Sequence, residues 1–67
     1  MKPESVAALR RAGVLAEDIA NELLAVAPAA PSSAQRIALD TVSYGMAALS
    51  AILGDLADIW DHEREGN

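Results

Sequence analysis

Two prolines, Pro28 and Pro31, lie in the stretch VAPAAPSSAQ and divide a 67-residue chain into two segments of helical periodicity. Proline lacks the N–H that an inner helical turn needs, and its ring clashes with a preceding carbonyl, so no continuous helix passes this point. Ser32 followed three residues later by Gln35 matches a capping box for a new helix, and Pro3 suits the first turn of an opening one. The expectation is an all-α, two-helix antiparallel hairpin forming one domain. Helix 1 covers about 3–27, a proline-containing loop about 28–32 and helix 2 about 33–63, with a frayed tail at 64–67.

Each segment carries more apolar residues than a hairpin needs. Val6, Leu9, Gly13, Ala16, Ala20, Leu23 and Ala27 recur at alternating spacings of three and four. In helix 2, Leu39, Val42, Met46, Leu49, Leu53, Leu56 and Trp60 do the same, the pattern of an a/d seam. A second stripe flanks each seam: Ala8, Ala12, Leu15, Ile19 and Val26 on helix 1, and Gly45, Ala48, Ile52 and Ile59 on helix 2. Each apolar arc then spans about 160–180°, whereas about 100° serves to face one partner helix. Arg10, Arg11, Glu17, Asp18 and Asn21 form the polar arc of helix 1, and Arg36, Asp40, Asp58 and His62 that of helix 2.

A chain of this size buries only about 60% of its unfolded surface. It has no cysteine to staple it, yet 52% of its residues are apolar. The economical solution is for two hairpins to pair as a homodimeric four-helix bundle. The interface expected from sequence comprises Leu15, Ile19 and Val26 of helix 1 with Leu39, Val42, Met46, Leu49, Ile52, Leu53, Leu56, Ile59 and Trp60 of helix 2. If the chain folds back near residue 30, Gly13 and Ala16 lie level with Gly45, Ala47 and Ala48, where the closest helix crossing is expected.

Chemistry-bearing motifs are sparse. Asp55, Asp58 and His62 stand roughly on one helix face and could hold a divalent metal, but the expectation is a solvated face with no metal or cofactor. His62 is the only histidine, so a Ser–His hydrolase has no base to build on. Ser43 and Ser50 read as plain surface residues on the polar side, and Tyr44 as a boundary packing contact. A net charge of −5 argues against direct nucleic-acid binding. The acidity is local: residues 55–65 hold five acids against one arginine, opposite Lys2 and Arg10 in a hairpin. The uncharged run Thr41–Gly54 is fourteen residues, short of the roughly 20 a membrane span needs, and helix 1 is charged.

The layout resembles, in architecture alone, the small helical-hairpin proteins exported by actinobacterial type VII systems. Its turn reads PAAPSS where that group carries Trp-x-Gly, and Trp60 sits far along helix 2. The functional expectation is a non-enzymatic, self-associating protein–protein interaction module in the cytoplasm, such as a small regulator, inhibitor or assembly subunit. Its partner is itself, with the acidic C-terminal end as a further protein-binding surface. The alternatives are a hetero-complex partner (antitoxin-like, or an acidic DNA-mimic inhibitor) and, more remotely, a metal-binding bundle using Asp55, Asp58 and His62.

Overall fold

The chain forms two long helices joined by one tight turn, seen in a computed structural model that describes residues 2–66 and the side chains of residues 2–63. Helix α1 spans Pro3–Val26 and helix α2 spans Ser33–Gly66, with a single 3-10 turn at Ala27–Ala29 between them. Lys2 is extended, with ψ 137°, and its carbonyl accepts the Ser5 N–H at 3.0 Å, so Pro3 enters α1 where no N–H is needed. The last intact turn of α1 is closed by the Ala27 N–H to the Leu23 carbonyl; Pro28 then has no N–H to continue it.

Ala30 adopts φ −62°, ψ 137°, the extended backbone that a following proline enforces. The Ser32 hydroxyl accepts the Gln35 N–H at 3.2 Å, and the Ser32 carbonyl accepts the Arg36 N–H at 3.0 Å. Ser32 is therefore the N-cap of α2, as its spacing from Gln35 implied. Helix α2 continues to Gly66, beyond the expected end at 63, and Asn67 lies outside the described residues.

The helices run antiparallel along a rod whose Cα extents are 53 × 13 × 10 Å, one helix thick. Stable domains enclose a core between at least two layers of secondary structure. This chain has one layer. Among the described residues the buried apolar ones are Val6, Ala16, Ala20, Ala27 and Ala57, none larger than valine.

All seven seam positions expected on the first helix face α2: Val6, Gly13, Ala16 and Ala20 of α1 and Ala27 of the 3-10 turn are buried, and Leu9 and Leu23 half-buried. The seam of α2 is rotated by about 45° from the expected one, counting about 100° per residue. Leu39, Met46, Leu53 and Trp60 do line it, half-buried, but Val42, Leu49 and Leu56 do not; they are exposed. Ser43, Ser50 and Ala57 take their places, Ser43 and Ala57 buried and Ser50 half-buried. The cause is the smallness of the α1 seam. Helices meeting on Gly and Ala backbones approach closely, and only small side chains fit opposite.

Candidate functional site: an apolar helical face

The two seam serines are held by the facing helix. Ser43 Oγ donates to the Ala20 carbonyl at 2.8 Å and Ser50 Oγ to the Gly13 carbonyl at 2.7 Å. A hydroxyl buried without a partner costs about 1–3 kcal/mol, and these bonds remove that cost. Among the described residues no buried side-chain nitrogen or oxygen lacks a partner. The bonds also fix the register. Residues that meet across the seam have numbers summing to about 63–67, a shift from the fold-back near 30 that places Gly13 against Ser50–Gly54 rather than Gly45–Ala48. A Cβ on Gly13 would stand 3.4 Å from the Ser50 carbonyl oxygen and 3.7 Å from Leu53 Cβ. Gly13 therefore marks a close crossing, with Ser50 and Gly54 as its counterparts.

On one side of this seam lies charge. Arg10 donates to Asp58 at 2.8 Å and stands 3.8 Å from Asp61. The pair joins the N-terminal half of α1 to the acidic end of α2, as the hairpin implied. Its side chains are 48% and 70% exposed, so it fixes alignment more than it stabilises. Asp58 is thus engaged with arginine, and no three His, Cys, Asp or Glu side chains among the described residues come together as a metal site. Tyr44, expected as a packing contact, is 71% exposed on this same side.

The other side is greasy. Leu15, Ile19 and Val26 of α1 and Val42, Leu49, Ile52, Leu56 and Ile59 of α2 are between 36% and 61% exposed. At about 100° per residue, both groups stand roughly 100° from their seams. Antiparallel helices traced from opposite ends put both groups on the same side of the rod, opposite Arg10 and Asp58. Ala8, Ala12, Ala38 and Gly45 fill the intervening positions; Glu22, three residues after Ile19 and four before Val26, brings a charge into the α1 strip, and Asp55 borders the α2 strip between Ile52 and Ile59. Of the interface residues expected from sequence, these eight form the open face, while Leu39, Met46, Leu53 and Trp60 line the intrachain seam.

Helix α2 is also long and apolar enough over residues 33–63 to cross a bilayer, with an 18-residue window of mean hydropathy 1.4 that is only 6% buried. The fourteen-residue limit expected from sequence applies only when no charge is admitted to the run. No protein family matches the chain, and no curated protein or solved structure is significantly similar to it.

Proposed function

We propose that the chain is a non-enzymatic helical interaction module in which two copies pair their apolar faces as a four-helix bundle, serving in the cytoplasm as a small regulator, inhibitor or assembly subunit. The observation that carries the reading is the single-layer rod with eight exposed aliphatic side chains on one face. Fully burying a Val, Leu or Ile yields about 1.5–3 kcal/mol, so eight side chains near half exposure leave roughly 8 kcal/mol unrealised per copy. Two copies together hold about 16 kcal/mol, against an association cost of about 4–15 kcal/mol. A gain of at least the size of that cost supports pairing, and a two-fold arrangement covers both faces with one contact.

A bilayer is a poorer occupant of the same surface. In the hairpin, the apolar window of α2 lies alongside Arg10, Arg11, Glu17, Asp18 and Glu22 of α1, and insertion would carry those charges into hydrocarbon. The net charge of −5 also repels anionic lipid headgroups. Sedimentation equilibrium with circular dichroism across a dilution series tests the proposal. A helical dimer whose thermal midpoint rises with concentration is expected. A well-folded monomer at micromolar concentration refutes it, and a disordered chain that folds only with another protein gives the surface to a heterologous partner.

A further inference from the structure

Gly45 stands in the middle of the apolar face, and the hairpin supplies no reason for it. A Cβ built there meets nothing within 4 Å, as at Gly54, which lies off this face, and in contrast to Gly13, whose Cβ would touch the facing backbone. Interior helical glycine is disfavoured relative to alanine, so the position carries a cost that nothing inside the chain offsets. Its neighbours on the face are Val42 at i−3, Leu49 at i+4 and Ile52 at i+7, all exposed. Together they wall a hole with no side chain at its floor, the shape that receives a knob from a facing helix.

We infer that Gly45 is the socket of the dimer, receiving an isoleucine side chain from the second copy. The inference rests on the proposed self-association and names the position that sets its fit. The occupant follows from the register. A two-fold axis along the rod keeps levels unchanged, and Gly45 then faces the partner's α1 near Ile19. A two-fold axis across the rod, passing between Ala48 and Leu49 of the exposed α2 run, sets Gly45 opposite the partner's α2 at Ile52. Both candidates are β-branched, stiff and half-exposed in the single hairpin, 46% for Ile19 and 56% for Ile52. The same large-into-small matching extends along the face, with Ala12 and Ala38 as the other small positions.

The test compares Gly45→Leu with Ala51→Leu, which adds bulk to the opposite side of α2. Leucine favours helix over glycine and the Cβ at Gly45 is unobstructed, so the variant folds as a hairpin at least as readily as the native chain. Overfilling the socket in both copies weakens dimerisation about 100-fold by sedimentation equilibrium, while Ala51→Leu leaves it unchanged. Adding Ile52→Ala to Gly45→Leu restores association to within about tenfold if the axis crosses the rod, and Ile19→Ala does so if it runs along it. A native chain that sediments as a monomer overturns the self-association itself. A dimeric native chain with an undisturbed Gly45→Leu dimer overturns only the socket, as does a weakened dimer that neither isoleucine truncation rescues.

Discussion

Truncating Ile52 to alanine separates a paired hairpin from a solitary one by the sign of its effect. Ile52 is 56% exposed in the single hairpin. Full burial of isoleucine is worth about 1.5–3 kcal/mol, so covering its open part contributes about 1–1.5 kcal/mol per copy. Losing most of that twice costs about 2–3 kcal/mol per dimer, or roughly a 30- to 150-fold weaker dissociation constant. In a lone hairpin the same change replaces an exposed β-branched residue with the best helix former, which gains a few tenths of a kcal/mol. Val14→Ala is the internal control, because Val14 is 59% exposed and lies on the side of α1 away from the apolar face. Melts at several concentrations, paired with sedimentation equilibrium, should show Ile52→Ala lowering the midpoint and Val14→Ala leaving it level or raising it. If the two variants behave alike, with no dependence on concentration, the assignment of that face to a second copy is wrong.

Other consequences are as direct. Ser43→Ala should cost about 1 kcal/mol in a thermal melt, the worth of one buried hydrogen bond, and Ser43→Leu about 1–3 kcal/mol by wedging the helices apart. A stabilising Ser43→Leu would mean that the seam is not tight. Raising salt from about 10 to 150 mM shortens the Debye length from about 30 to 8 Å, so two copies of net charge −5 should associate more tightly as repulsion is screened. Weaker association in salt, read by light scattering, would point to an interface made of opposite charges.

Much of the fold was legible because local chemistry and long-range pattern agreed. Pro28, Pro31 and the Ser32–Gln35 pair located the turn, and the Gly and Ala repeat of α1 lay wholly on the facing side. The second helix was harder because its apolar arc covers about half the circumference, and spacing alone does not say which edge of so broad an arc meets the neighbour. Size misled: Val42, Leu49 and Leu56 look like better core than Ser43, Ser50 and Ala57. The signal that identifies the true seam was on the other helix, where Gly13, Ala16 and Ala20 demand small residues opposite. Once the seam rotates, the large aliphatics move together onto the open side, so the interface was legible in composition while its division from the seam was not.

The size rule that governs ordinary cores is inverted along this rod, and that shapes how the sequence can drift. At Gly13, Ala16, Ala20, Ser43 and Ala57 each added methylene pushes two long cylinders apart, and the strain travels along their length instead of staying local. On the open side, exchanges among valine, leucine, isoleucine and methionine conserve volume to within a carbon or two and are readily absorbed. Substitution libraries of this chain should therefore be intolerant at its smallest residues and permissive at many of its greasiest.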